Sequence, residues 1–167
     1  MRLGWRDPAL AFRGPDATAL RQNFTTLHRA LGWPWVRVRV PEGTSVTTSW
    51  AALGALEAVE GDKALVVGNQ VRVPSMHEWW LLQCSFVCPI NSAGSGLYQA
   101  GFRLNGSDVG MLIGEWAGTP QTFCRVGRMG MVPVRRGSLL TPMARSSPGA
   151  TTVRSGSDYV FVFMPLQ

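Results

Sequence analysis

Residues 159–164 read YVFVFM, a run in which both alternating sets of side chains are apolar. In a strand, Tyr159, Phe161 and Phe163 point to one face, and Val160, Val162 and Met164 point to the other. An antiparallel strand ordinarily leaves one face in water, so this run indicates a strand that is covered on both sides. We expect one face to fill the core of a sandwich and the other to be buried against another subunit. Cover by a loop or helix of the same chain is the alternative.

The residues upstream, from Lys63 onward, repeat short apolar runs separated by turn residues. Asn105 and Gly106, which follow Leu104, are the strongest hairpin signal in the chain. Gly127 is interpreted as a turn between two further strands, 122–126 and 131–134. This regular spacing predicts a mainly β fold, an antiparallel sandwich or barrel.

The first third of the chain has a different pattern. Residues 1–14 hold too few apolar side chains to pack alone, which predicts an extended N-terminal arm. Residues 15–32 predict a helix, because Asp16 can cap its start and Gly32 its end. Its apolar residues recur at alternating intervals of three and four: Ala17, Leu20, Phe24, Leu27 and Leu31.

That narrow seam favours contact with a symmetry mate, although a helix laid on its own domain would show a similar pattern. Residues 33–60 are predicted to be a connecting segment with one strand, in which Val36, Val38 and Val40 alternate with arginines. Residues 61–167 then form the β domain.

Composition excludes several classes of protein. Of the 167 residues, 46% are hydrophobic and 16% charged, which argues against disorder. The net charge is +6, but the arginines are scattered, so we expect no specific nucleic-acid site. We expect no signal peptide, because residues 1–14 lack an apolar segment. The longest apolar run, 159–166, is too short for a spanning helix, so no membrane insertion is expected.

The chemistry of an enzyme is hard to assemble from this sequence. Neither His28 nor His77 lies in a pattern that predicts a catalytic triad. The three cysteines, Cys84, Cys88 and Cys124, are expected to be buried apolar residues. We therefore expect no catalytic residue, no cofactor and no metal. The pair Glu115 and Trp116 is kept as a candidate ligand patch, because an aromatic ring beside a carboxylate can bind a sugar.

The order of the strands resembles a known family. The residues that carry the resemblance are the strand pair 64–73, the aromatic strand 79–87, GLYQAGFRLNG at 96–106, VPVRRG at 132–137, and GATTV at 149–153 before the closing aromatic strand. This pattern resembles the jelly roll of the tumour-necrosis-factor and complement globular-head superfamily, whose modules also occur as terminal knobs on bacteriophage virion proteins. The resemblance implies an antiparallel jelly-roll sandwich, here preceded by the arm and one short α-helix.

The resemblance also implies a homotrimer whose C-terminal strand lies near the threefold axis. Combined with the helical seam, it suggests an interface formed by Leu20, Phe24, Leu27, Leu31, Val160, Val162 and Met164. Residues 7–9 (DPA) and 21–24 (RQNF) are similar to the attachment segments of phage tail and head-fibre proteins.

Together these resemblances imply a non-enzymatic virion component, such as a minor tail protein, a head fibre or a capsid decoration. It would be made in the host cytoplasm and then lie on the exterior of the particle. Its partners would be itself, other virion proteins bound through the arm and helix, and a host-surface glycan. A carbohydrate-binding receptor-recognition module is the alternative, and a cell-wall glycan hydrolase is a third.

Overall fold

The computed structural model describes residues 30–166, apart from the side chains of residues 108–111. Within this range the chain forms thirteen strands and one turn of 3-10 helix at Lys63–Leu65. In chain order the strands are β1 (Trp35–Arg39), β2 (Ser45–Val46), β3 (Ala51–Ala52), β4 (Glu57–Gly61), β5 (Val66–Val67), β6 (Gln70–Arg72), β7 (Trp79–Asn91), β8 (Gly96–Leu104), β9 (Ser107–Gly118), β10 (Phe123–Arg135), β11 (Leu139–Ser146), β12 (Thr151–Thr152) and β13 (Asp158–Pro165).

Two antiparallel sheets make up a sandwich. Sheet 1 has the order β10-β7-β13-β1-β4, and sheet 2 has the order β5-β6-β11-β8-β9, with β3 also paired to β11. Strands β2 and β12 form a short separate ribbon. Neighbours within each sheet are mostly distant in sequence, because the chain crosses repeatedly from one sheet to the other. The predicted mainly β, antiparallel sandwich is confirmed.

The core lies between the two sheets and is rich in aromatic rings. Phe86 stacks on Tyr159 with ring centroids 4.9 Å apart, and Phe161 meets Phe102 of the opposite sheet edge-on at 5.8 Å. Such pairs contribute about 0.5–1.5 kcal/mol beyond the area they bury. The closing strand therefore joins the two sheets through its aromatic face.

The hairpin predicted at Asn105 and Gly106 is present. Their φ angles are 51° and 73°, and Leu104 pairs with Ser107 on either side of the turn. Positive φ at both central positions is what a two-residue turn of this type needs, and asparagine followed by glycine is the preferred pair.

The turn predicted at Gly127 is wrong. Residues 123–135 form one strand, β10, which pairs with β7 along its whole length. A Cβ on Gly127 would lie 2.8 Å from the carbonyl oxygen of Phe86, and one on Gly130 would lie 2.6 Å from Cδ1 of Leu112. The glycines allow close approach of neighbouring residues, which sequence alone does not distinguish from a turn.

Residues 33–60 also differ from the predicted connecting segment with one strand. They supply β1, in the interior of sheet 1, and β4 at its edge, together with β2 and β3. The sequence shows little of this because β2 and β3 are two residues long, too short for an alternating pattern. The sandwich therefore begins at Trp35 rather than at residue 61.

The predicted arm, residues 1–14, lies outside the described residues. So does the predicted helix, 15–32, except for its last three residues. Of these, Gly32 has a φ angle of 66°.

Candidate functional site

The side of sheet 1 that faces away from the sandwich core is the candidate functional site. We call it the outer face. Along each strand of this sheet, side chains alternate between the core and the outer face. On β13, Tyr159, Phe161 and Phe163 belong to the core, whereas Val160 and Val162 form a second buried cluster with Trp35. The closing strand is therefore apolar on both sides, as its sequence indicates.

Strand register arranges the outer face in rows across the sheet. One row runs Trp35, Val162, Gln83 and Met131, and the next runs Arg37, Val160, Ser85 and Met129. A third row, at the end of the sheet nearer Asp158, runs Arg39, Asp158, Val87 and Gly127. The face thus changes from apolar to charged along the strand direction.

The β1 and β13 side of the outer face is covered within the single chain. Val162 is 1% exposed, Val160 and Trp35 are buried, and Trp33 packs against this cluster. Of the two explanations that the sequence leaves open, cover by residues of the same chain accounts for part of this burial. Val160 and Val162 are therefore already buried in the single chain, and their place in a subunit interface stays a prediction.

Exposed apolar surface lies on β10 instead, and at Trp79 of β7, which is 49% exposed. Met129 is 48% exposed and Met131 is 56% exposed, and Met164 on β13 is half-buried. Sequence reasoning missed the two methionines because it divided this strand at Gly127. If residues 123–135 are taken as one strand, Met129 and Met131 lie on the same face as Arg125 and Arg135. This alternation is the sequence signal that predicts an exposed position for both methionines.

Asp158 forms the centre of the charged rows. Its Oδ2 accepts a hydrogen bond from Nη2 of Arg37 at 2.7 Å, and its Oδ1 lies 3.6 Å from Nε of Arg39. The carboxylate side chain is 8% exposed. Two glutamates of β4 lie further from the same arginines: Glu60 is 3.7 Å from Arg37, and Glu57 is 4.0 Å from Arg39. Asp158 is therefore the hydrogen-bond partner of Arg37, and it lies slightly closer to Arg39 than Glu57 does.

Four residues of the predicted helix belong to the predicted interface, and one of them is among the described residues. Leu20, Phe24 and Leu27 lie outside the described residues. Leu31 is described and is 49% exposed.

The candidate ligand patch does not form as one surface. Glu115 and Trp116 are consecutive residues of β9 and so face opposite sides of sheet 2. Trp116 packs edge-on against the buried Tyr98 at 5.9 Å, whereas Oε2 of the exposed Glu115 accepts a hydrogen bond from Nε2 of Gln99 at 3.1 Å.

A different tryptophan lies at the end of that polar row. Arg145 donates from its Nε to Oε1 of Gln99, and its guanidinium lies 5.3 Å from the ring centroid of Trp50. Glu115, Gln99, Arg145 and Trp50 thus form one continuous row on the outside of sheet 2, joined by tertiary contacts that sequence does not reveal.

The cysteines are buried, and none is in a disulfide. Burial raises the pKa of the Cys88 thiol to about 12 and that of Cys124 to about 11, and it raises the pKa of Cys84 well above its usual value. A thiol needs its thiolate form to act as a nucleophile or metal ligand. These three are therefore inert at neutral pH.

The remaining groups with catalytic potential are dispersed. His77 packs edge-on against Trp80 with ring centroids 4.9 Å apart. Among the described residues, no three histidine, cysteine, aspartate or glutamate side chains are grouped to hold a metal ion. In the same part of the chain, no helix is long and apolar enough to span a membrane.

Comparison with known proteins identifies the fold. Eiger, a TNF protein from S. frugiperda, aligns with a TM-score of 0.61 and 9% identity, over 81% of this chain and 95% of that one. Murine APRIL at pH 5.0 aligns with a TM-score of 0.58 and 14% identity, over 79% of this chain and 99% of that one. The globular domain of zebrafish complement 1qA aligns with a TM-score of 0.56 and 7% identity, over 80% and 98%.

The chain has the jelly-roll fold of TNF and complement globular heads. The fold that the sequence resemblance implies is therefore confirmed. No family model matches the sequence, and no curated protein does.

Proposed function

We propose that the protein is a non-enzymatic module that works as a homotrimer, with the outer faces of three copies packed around a threefold axis. The observation that carries this proposal is the exposed apolar surface at Met129 and Met131, beside the buried cluster of Trp35, Val160 and Val162. Contiguous exposed apolar patches on a small domain mark interaction sites. The family resemblance implies that the closing strand, which lies on the same outer face, is near the axis.

The proposal that the module is non-enzymatic rests on its side-chain chemistry. The thiols have raised pKa values and lie in the core, and the ring of His77 packs against a tryptophan. Asp158, the most heavily buried ionic group among the described residues, lies beside two arginines. These groups stabilise the sandwich and its outer face.

The mass of the protein in solution tests the trimer. Sedimentation at micromolar concentration should give three times the 18.2 kDa of one chain. Met131→Asp should leave the circular dichroism spectrum unchanged and yield a monomer, because residue 131 is exposed in the single chain but would bury an unpaired charge in the assembly.

Val67→Asp is the matched control, since Val67 is similarly exposed but lies on β5 of the other sheet. It should remain a trimer. A wild-type mass of one chain, or a trimer unaffected by Met131→Asp, would contradict the proposal.

The place of the trimer in a larger assembly is a further part of the proposal. We place it on the exterior of a bacteriophage virion, attached to the capsid or tail through residues 1–32. This part rests on the similarity of residues 7–9 and 21–24 to phage attachment segments. Mass spectrometry of purified particles, with the protein located by labelled antibody, tests it. Absence from the particles would overturn the placement and leave the trimer standing.

A glycan-binding role is a second candidate, favoured by the row of Glu115, Gln99, Arg145 and Trp50. An aromatic ring followed by amide and carboxylate groups provides both stacking and hydrogen bonds for a sugar. Screening against host-surface glycans, with Glu115→Ala as the comparison, tests this role. Binding that is indifferent to Glu115 would exclude the row as the site.

A further inference from the structure

Sheet 1 carries opposite charges at its two edges. The edge strand β4 bears Glu57 and Glu60, whose side chains are 65% and 43% exposed. The other edge strand, β10, bears the exposed Arg125 and Arg128, and Arg154 lies beside it. Five strands spaced at 4.7–4.9 Å place the two edges about 19 Å apart.

The charge of the acidic edge is weakly neutralised within the chain. Charge-assisted hydrogen bonds are about 2.7–2.9 Å long, and Arg37 makes one of that length to Asp158. Its distance to Glu60 is 3.7 Å, and the distance between Arg39 and Glu57 is 4.0 Å. Because Arg37 gives its hydrogen bond to Asp158, and neither glutamate lies within hydrogen-bond distance of these arginines, the glutamates remain available to a second partner.

The guanidinium groups of the basic edge contact an aromatic ring or a backbone carbonyl oxygen, and these contacts do not neutralise their charge. Arg154 and Arg125 lie 4.5 and 5.7 Å from the ring centroid of Phe123, and Arg128 donates to the carbonyl oxygen of Ile113 at 2.7 Å. Among the described residues, no carboxylate lies within 4.0 Å of these three guanidinium groups.

The other end of β10 provides the contrast. There Arg135 and Arg136 hold Glu78 at 2.7 and 2.8 Å. The hydrogen bond from Arg135, with the charge of both arginines, lowers the pKa of Glu78.

The strand register also places the charged residues of the two edges near the same end of sheet 1. Glu57 pairs with Arg39, in the row that crosses the sheet to Gly127, and Arg125 is two residues further along β10. The charged ends of both edges therefore lie towards the same end of the sheet, so a rotation without a large translation can bring one to the other. A contact with little translation can close into a ring, whereas one with a large translation would produce a filament.

We propose that neighbouring copies assemble head to tail, the Glu57 and Glu60 edge of one facing the Arg125, Arg128 and Arg154 edge of the next. A twofold interface would bring like charges together, acid on acid or base on base, and like charges across an interface are strongly unfavourable. A head-to-tail contact pairs opposite charges at every junction. This inference rests on the proposed trimer and names the surfaces that join its subunits.

Charge reversal tests the pairing. The variants are Glu57→Arg with Glu60→Arg, Arg125→Glu with Arg154→Glu, and the combination of all four. Sedimentation equilibrium at low salt should show each double variant associating at least about tenfold more weakly than the wild type. The four-substitution variant should regain most of the lost association, because every junction again pairs opposite charges.

The controls are Glu42→Arg and Arg72→Glu, which reverse exposed charges outside sheet 1 and should leave association unchanged. Suppose that the wild type is a trimer. The pairing alone would be wrong if both double variants associated as strongly as the wild type, or if the four-substitution variant did not regain the lost association. A wild-type monomer would overturn the trimer and the pairing together. If Arg125→Glu with Arg154→Glu stays trimeric but loses retention on heparin, the basic edge binds a polyanion and the pairing is wrong.

Discussion

Asp158 shows how one residue at the start of a strand organises the charged end of the outer face. Its carboxylate is almost fully buried, and both of its partners come from β1, more than a hundred residues earlier in the chain. Arg37 and Arg39 alternate with valines, so they point away from the core and towards this carboxylate. Removing one partner of such a buried ion pair destabilises a fold, because the other charge is left uncompensated.

Asp158→Ala should therefore lower the free energy of unfolding by about 2 kcal/mol. This is less than the ~3–5 kcal/mol lost on breaking a fully buried pair, because Arg37 and Arg39 stay partly exposed to water. Urea denaturation at fixed protein concentration measures the change. Glu57→Ala, which removes an exposed carboxylate, should change the value by no more than about 0.5 kcal/mol. Equal effects of the two variants would show that Asp158 is not the main partner.

The buried thiols predict a dependence on alkaline pH. The ordinary pKa of a cysteine thiol is 9.0, and burial in the folded state raises it to about 12 for Cys88 and about 11 for Cys124. Folding therefore favours the neutral thiol. The resulting stability is complete below pH 9.0 and is lost as the pH rises towards the folded-state values. Urea denaturation between pH 8 and 11 should show falling stability, and a thiol reagent at pH 8 should label the three cysteines only after unfolding. Rapid labelling of the native protein would contradict their burial.

At the scale of elements, Gly127 of β10 and Gly114 of β9 allow strands β7, β9 and β10 to approach one another closely. Gly127 lies against the backbone of Phe86, and a Cβ on Gly114 of β9 would lie 2.7 Å from the carbonyl oxygen of Gly127. Strands β9 and β10 belong to different sheets but come together here. The outer face depends on the continuity of β10, since Met129 and Met131 follow Gly127 in the same strand.

Gly127→Ala should lower the free energy of unfolding by about 1–3 kcal/mol, because the new methyl group would overlap a backbone carbonyl that cannot move independently of its strand. Thermal unfolding measures the loss. Gly149→Ala is the matched control, since a Cβ there would have its nearest neighbour at 3.8 Å. Similar unfolding temperatures for the two variants would mean that the close approach of β9, β10 and β7 is not required.

At the scale of the whole molecule, the sandwich and the proposed attachment segment belong to different parts of the sequence. In the part of the chain that the structure describes, every strand of both sheets lies between Trp35 and Pro165. The proposed attachment function is assigned to residues 1–32, which precede these strands in the sequence.

Deleting residues 1–32 should leave a folded trimer that no longer joins the virion. The two sheets keep all their strands, whereas the proposed attachment segment is lost. Circular dichroism, sedimentation and incorporation into particles measure the three properties separately. A truncated protein that unfolds, or one that is still incorporated, would contradict this division.

The sequence by itself determined the class of fold and the character of its closing strand. The alternation in YVFVFM, the Asn105-Gly106 hairpin and the order of the strands are local signals, because side-chain direction and turn geometry depend on neighbouring residues. The tertiary structure alone decided which surface stays open. It covered Val160 and Val162 within the chain, exposed Met129 and Met131, separated Glu115 from Trp116 and brought Asp158 to Arg37. Each of these outcomes depends on which strands become neighbours. That pairing joins residues that are far apart in sequence, so the local sequence pattern does not predict it.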